Sequence, residues 1–378
     1  MARLGDICTV VSGSTPKSNI PEYWDGDIKW ITPAELTEQS YIITDSARHI
    51  TELGVQKTGL KPFPAGTVIL SSRAPIGKTA IAGCEMFCNQ GFKNLICSDQ
   101  INNRYLYWFL ACNTDYLNSL GRGATFKEIS KGIVEDIEIP LPSISKQVEI
   151  AEKFEKVSDL IALRKEQLAK LDQLVKSRFI ELFGECEERK RLEEYASLIT
   201  KGTSPKWQGV DYCEEGTLFV TSENVREGYL DLSKRKYLDD KINEIQPRSI
   251  LKRNDILINI VGASIGRAAV YDCDEVANIN QAVALVRVDY SQINQTYLMA
   301  FLNSPQAIEM YGKMKKGGAR DNLSLQNIAD LQIPVAPMEL QNQFVTFVKQ
   351  TDKSKLAIQH SLDKLELLKK SLMQEYFG

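Results

Sequence analysis

Two short segments, Gly13-Ser14-Thr15-Pro16-Lys17 and Gly202-Thr203-Ser204-Pro205-Lys206, put hydroxyls, backbone N–H groups and an ammonium on one tight turn. That set of donors suits a phosphate oxygen or a base edge, and small residues let either approach closely. Ser14, Thr15 and Lys17, with Thr203, Ser204 and Lys206, are therefore candidates for contact; the plainer reading is a solvated turn. Arg73 and Lys78 flank an Ile-Gly loop between two apolar runs, and Arg267 follows a second Ile-Gly. Asn89-Gln90 and Asn280-Gln281 carry amides of the kind that pair bidentately with adenine, or that cap a turn inside a fold. The segments 121–127 and 313–322 gather the heaviest basic clusters: Arg122 and Lys127 with nearby Lys131, and Lys315, Lys316 and Arg320. Their glycines would admit a phosphate backbone, so they are the best candidates for nucleic-acid contact.

Catalytic readings fare worse. "SRAPIGKT" (72–79) ends like a phosphate-binding loop, but Ser72 stands where the first glycine belongs, and "GASIGRAA" keeps neither the spacing nor the Lys-Thr. No Asn/Asp-Pro-Pro-aromatic tetrapeptide is present, no G-x-G-x-x-G follows a strand, and no acidic cluster with a paired lysine reads as a nuclease. His49 and His360 occupy unrelated positions. The eight cysteines are scattered singly, the closest spacing being C-x3-C at Cys84 and Cys88, which argues for reduced thiols rather than zinc. The expectation is no catalytic residue, no metal and no cofactor on this chain.

At 378 residues the chain exceeds the size at which single cores stop growing, so two or more domains are expected. It is 43% hydrophobic and 25% charged, ordinary values for a globular protein. The N-terminus lacks the apolar core of a signal peptide and no run is long enough to span a bilayer; the expectation is a cytoplasmic protein. A formal charge of −3 excludes a uniformly basic binder, not a locally basic surface.

These candidates recur because the chain recurs. Ile139, Pro140 and Gln147 of "IEIPLPSISKQ" have equivalents 194 positions on, at Ile333, Pro334 and Gln341 of "LQIPVAPMELQ". Arg-Leu opens both copies, at residues 3 and 191; "WITPAEL" (30–36) answers "FVTSENV" (219–225), and "RYLYWFL" (104–110) answers "TYLMAFL" (296–302). The offset drifts from 188 to 194 and then holds, so indels lie in loops of the first part and the last part is rigid. Short runs rich in Val, Ile, Thr and aromatics, punctuated by Gly, Pro and Asn, predict strands over most of each copy. Residues 143–183 hold no Gly or Pro and repeat apolar residues every three or four, which predicts a long helix. Phe154, Val157, Ile161, Leu168, Leu171 and Val175 line its stripe, interrupted by Arg164 and Arg178 at heptad slots. Ile358, Leu362, Leu365, Leu368 and Leu372 line the stripe of its counterpart.

A helix of that size is roughly 55–60 Å long and cannot bury its stripe alone. Two in one chain most simply form an antiparallel coiled coil, the alternative being that each packs on its own globular domain. The expected organisation is a globular domain at 1–142, a central helix at 143–184, a second such domain at 185–337 and a C-terminal helix at 338–378. The fold class is α+β with internal pseudo-twofold symmetry.

Two variable globular units, each followed by "IPLP…Q" or "IPVAP…Q" and a long helix ending "LF-G" or "YF-G", resemble the specificity subunit of Type I restriction–modification systems along the whole chain. No single motif is specific; their order, twice, is. The resemblance implies a non-catalytic reader of double-stranded DNA in which each recognition domain binds one half of a split, asymmetric target. It implies helices that set the spacer and dock two methyltransferase subunits, with two restriction–translocase subunits completing the enzyme. S-adenosylmethionine, ATP and Mg would belong to those partners. A subunit serving a modification-only methyltransferase is the alternative, and a protein-binding coiled-coil adaptor a remoter one.

Overall fold

A computed structural model describes all residues except 38–39, 74, 124–126 and 315–320. The chain divides into two compact units: residues 1–165 with 360–378, and residues 166–359.

Unit 1 is built on a sheet in the order Cys8–Ser12, Lys93–Cys97, Val68–Leu70, Thr79–Ala82, Ile42–Ile43, antiparallel except at its last pair. A smaller sheet joins Arg48–Ile50, Trp24–Ile31 and Phe87–Cys88. The strands Val68–Leu70 and Thr79–Ala82 are buried on both faces, which is why they read as unbroken apolar runs instead of alternating ones. The helix Asn103–Cys112 covers the sheet with Tyr105 to Leu110 buried, and its N-cap Asn102 accepts the N–H groups of Arg104 and Tyr105.

Unit 2 repeats the core of this plan, without the edge strand equivalent to Ile42–Ile43 and with an added strand in its other sheet. One sheet runs Ala196–Lys201, Val283–Val288, Ile256–Asn259, Ala268–Val270; the other holds Tyr212–Cys213, Tyr237–Leu238, Thr217–Val220 and Ala277–Ile279. Even the register is kept: Cys8 faces Cys97 in unit 1, and their equivalents Ala196 and Val288 face each other in unit 2. Asn294 caps the matching helix Gln295–Leu302. In each unit a two-stranded ribbon, Ala2–Arg3 with Glu138–Ile139 or Arg189–Arg191 with Gln332–Pro334, ties the start of the unit to the strand before its long helix.

The long helices are Ile144–Phe183 and Met338–Phe377, 40 residues each. Inside unit 1 their segments run antiparallel: Lys153 Nζ meets the Tyr376 hydroxyl at 3.1 Å, Arg164 Nε meets Ser361 Oγ at 3.2 Å, and Lys165 pairs with Glu366 at 3.2 Å. Inside unit 2 Asp172 pairs with Lys355 at 2.6 Å and Phe179 packs on Phe344 with centroids 5.4 Å apart, again antiparallel.

The helices pack on each other, as expected, and within each unit also on the globular part. Phe154, Val157 and Leu362 are buried, while Ile161, Leu168, Leu171, Val175, Ile358, Leu365 and Leu372 are half-buried. One expectation fails: Leu368 is 46% exposed. The inward slot belongs to Lys369, whose ammonium lies 5.0 Å from the Trp108 ring and whose pKa burial lowers. Much of the tight packing comes from aromatics outside the expected stripe. Phe377 stacks on Phe154 and meets Tyr105 and Phe109, and Phe179 and Phe183 enclose Tyr297 and Phe344.

Candidate nucleic-acid interface

In unit 1 the separate basic segments are linked through a short chain of backbone contacts. Gly13 lies so close to the Cys88 and Asn89 carbonyls that a Cβ would sit 2.1 and 2.3 Å from their oxygens, seating the 14–17 turn on the Asn-Gln turn. From there, Ser72 N donates to Gly91 O at 2.7 Å and Ile129 N donates to Ser72 O at 2.9 Å. Arg122 and Glu128 then exchange both backbone hydrogen bonds, closing the 121–129 loop.

Unit 2 makes the same chain from different letters. Gly202 sits against Ile279 and Asn280, where an added Cβ would lie 1.7 Å from the Ile279 oxygen. Ile260 N donates to Ala282 O at 2.9 Å, and Leu323 N donates to Ile260 O at 2.9 Å. The described segments that carry or flank the candidate residues are thus linked within each unit by backbone groups, leaving side chains free to differ.

Those side chains divide. Lys17, Arg122 and Lys127 in unit 1, and Lys206 and Arg267 in unit 2, are exposed and carry no partner among the described residues. Ser14 and Ser204 are half-buried on their turns. Thr15 donates its hydroxyl to Gln90, and Thr203 is held twice by the buried Gln246, whose Oε1 accepts its N–H at 2.9 Å and whose Nε2 donates to its hydroxyl at 2.5 Å. Gln281 is exposed. Asn89 and Asn280 cap their own turns, accepting Gly91 N at 2.9 Å and Ala282 N at 3.1 Å, the structural role that the residue type left open.

Three basic candidates are engaged within the fold. Lys78 Nζ donates to the Leu36 carbonyl at 2.6 Å, whereas its equivalent Arg267 faces solvent. Arg73 Nε donates to Glu128 at 2.8 Å, and the same carboxylate takes the nearly buried Lys93 at 3.3 Å. Burial works against ionising Glu128, but these two cations outweigh it and hold its pKa below the usual carboxylate range. Lys131 starts a short helix and reaches Glu135 at 3.5 Å. Lys315, Lys316 and Arg320 lie outside the described residues.

Sequence reasoning missed Arg48. Its guanidinium stacks 3.6 Å above Trp24, whose indole N–H donates to Lys17 O at 3.2 Å, while Trp30 donates to Ser14 O at 3.0 Å. Two tryptophans thus brace the 14–17 turn from beneath, and Arg48 covers one of them. The signal lay in the spacing of Trp24 and Trp30 behind the turn, but only pairing of Arg48–Ile50 with Trp24–Ile31 brings the arginine there. Among the described residues no group of three His, Cys, Asp or Glu could hold a metal, and no helix is long and apolar enough to cross a membrane.

Comparison with known proteins falls on the same architecture. The model of the Type I restriction modification DNA specificity domain matches the chain twice, over residues 1–173 and 188–368. The Type I restriction enzyme MjaIX specificity subunit of Methanocaldococcus jannaschii is 39% identical over 210 residues, covering 54% of this chain and 49% of that protein. The EcoBI specificity subunit of Escherichia coli is 26% identical over 313 residues, covering 74% of this chain and 66% of that one. The chain therefore spans about half to two-thirds of these relatives. Among solved structures, one described for complex assembly and conformational transition of the type I R-M system superposes with a TM-score of 0.67 at 18% identity, covering 100% of this chain and 96% of that one. The S subunit of a Type-I restriction-modification system from M. genitalium gives 0.56 at 15%, covering 100% and 95%, so these two speak for the fold. With two family matches that together take in most of its length, the chain belongs to the Type I restriction modification DNA specificity family.

Proposed function

We propose that this chain reads DNA for a Type I restriction–modification enzyme, each unit contacting one half of a split, asymmetric duplex sequence. The observation that carries this reading is the repeated backbone chain, Gly13 to Ile129 and Gly202 to Leu323, which links the segments that carry or flank the basic turns within each unit. A frame held by backbone groups tolerates different side chains, so two frames of one design can read two different half-sites. Phosphate contacts would come from Lys17, Arg122, Lys127, Lys206 and Arg267, and base contacts from the turn and loop side chains between them.

The long helices then set the spacing of the half-sites and offer docking surface to two methyltransferase subunits. Leu160, Leu163, Leu174, Ile180, Leu356 and Leu367 on these helices are exposed, an apolar excess suited to covering by partners. The chain itself performs no chemistry; methyl transfer from S-adenosylmethionine and ATP-driven restriction, with Mg, fall to the methyltransferase and restriction subunits.

Selection from a randomised duplex pool by the full chain with its methyltransferase subunits tests the reading. A two-part consensus with an unspecified gap is expected, and replacing residues 1–142 by those of a relative should rewrite one part only. A continuous consensus, or both parts changing together, would refute it.

A further inference from the structure

Unit 2 presents an aromatic residue that unit 1 lacks. Trp207 follows Lys206 at the tip of the turn equivalent to 13–17, where the matching residue is Ser18, and it is 81% exposed. The other three tryptophans, Trp24, Trp30 and Trp108, are buried. A solvated indole gains nothing for its own fold, and this one is presented on a rigid support. Gly202 is packed against the Ile279 carbonyl, Thr203 is held twice by Gln246, and Pro205 is buried. Trp207 N donates to Ser204 O at 3.1 Å, Val210 N donates to Pro205 O at 3.1 Å, and Gly209 turns the chain out through a φ of 67° that other residues rarely adopt. Val210 then anchors the exit in the cluster of Phe219, Leu238 and Ile242.

The surroundings select the partner. Lys201, Lys206 and Gln208, which flank the indole in sequence, are exposed, and the nearest acidic residues along the chain, Asp211, Glu214 and Glu215, follow only after Val210 has anchored the exit of the turn. A flat apolar face flanked by cations complements a nucleobase flanked by phosphates, since every base offers a π-face and thymine adds a methyl group.

We propose that Trp207 is a base-contacting residue of unit 2, its indole packing on a nucleobase of the half-site while Lys201 and Lys206 hold adjacent phosphates. The proposal rests on the DNA-reading function argued above and adds an asymmetry: unit 1 keeps Trp24 and Trp30 beneath the turn, so the two half-sites are contacted by different means.

The test uses the full chain and the duplex that the wild type selects from a randomised pool. With three tryptophans buried, acrylamide quenching of the intrinsic fluorescence reports chiefly Trp207. Adding the selected duplex should protect it, and a methyltransferase subunit without DNA should not. Trp207→Ala should weaken binding of that duplex by about ten- to a hundredfold and relax selection in one half only, with Trp207→Phe retaining most of the affinity. Both variants should melt with the wild type, because the side chain is solvated. Unchanged quenching, protection by the methyltransferase subunit alone, or a Trp207→Ala variant with wild-type affinity and selection would overturn the proposal while leaving the DNA-reading function intact. A wild type that selects no sequence would overturn both.

Discussion

The side-chain oxygen of Gln147 accepts the backbone N–H of Asn102 at 2.8 Å, binding the first turns of the long helix to the cap of the helix that covers the sheet. Its amide nitrogen donates to Gln100 O at 3.1 Å and Pro142 O at 2.9 Å, so the fully buried side chain is saturated. Gln341 does the same in unit 2, accepting Asn294 N at 2.9 Å and donating to Ala336 O at 2.8 Å. Replacing either by Leu keeps the volume and strands two or three buried backbone groups. The expected cost is about 3 kcal/mol, read as a lowered midpoint in denaturant, with Gln147→Glu rescuing only the acceptor half.

That relationship explains which parts of the fold were legible. Letters that recur are letters with a partner inside their own unit. The Pro140 and Pro334 carbonyls receive the hydroxyls of Tyr105 and Tyr297 at 2.8 and 2.9 Å, and Ser130 and Ser324 cap equivalent short helices. The repeat thus exposed two matching strand-rich units and their long helices in outline, but not the strand order or the contact of Gly13 and Gly202 with the Asn-Gln turn. What it hid were choices made by the surface opposite. Lys78 and Arg267 share a position, yet among the described residues Lys78 donates to a carbonyl and Arg267 is exposed without a partner. Leu368 has the right spacing for a seam, but Trp108 and Cys112 sit where Lys369 can cover them, and helical periodicity alone does not say which neighbour wins. Buried Asp255, gripped by both ends of the Arg287 fork at 2.7 and 2.6 Å, has Thr67 and Ile96 in the equivalent places of unit 1, a swap no repeat could signal.

Gly13 and Gly202 are predicted to tolerate no side chain. A Cβ would lie 2.1 Å from the Cys88 oxygen in one unit and 1.7 Å from the Ile279 oxygen in the other, and backbone on both sides cannot yield cheaply. Gly13→Ala and Gly202→Ala should each lower the melting midpoint and displace the turn, weakening retardation of the selected duplex. Gly132→Ala, with open space at its Cβ, serves as the control that changes neither.

Acid should loosen unit 1 through Glu155. Burial disfavours its charge, but the forked bond from Arg104 and the Tyr41 hydroxyl outweigh that and hold its pKa below the usual carboxylate range. A depressed folded pKa contributes stability above the unfolded value of about 4.3 and loses it as pH falls through the folded one. Glu155→Gln should therefore lower stability at neutral pH by about 1–3 kcal/mol and flatten the decline below about pH 4. Unit 2 carries Lys349 at the equivalent helix position, so the effect should be confined to unit 1, as amide exchange resolved by residue would report.

Lys78 and Arg267 give the sharpest separation between structural and DNA-contacting cations, because the repeat makes them equivalents and the fold treats them oppositely. Arg267 is exposed and unpaired among the described residues, so each phosphate it neutralises should release counterions. Arg267→Ala should reduce the slope of log affinity against log salt by about one, and Lys206→Ala and Lys17→Ala should do likewise. Lys78 gives its ammonium to the Leu36 carbonyl, so Lys78→Ala should leave the slope unchanged and lower the melting midpoint instead. Measuring both variants across a salt series distinguishes the roles: equal slopes for Arg267→Ala and wild type would remove that loop from the interface, and a reduced slope for Lys78→Ala would mean its ammonium leaves Leu36 when DNA arrives.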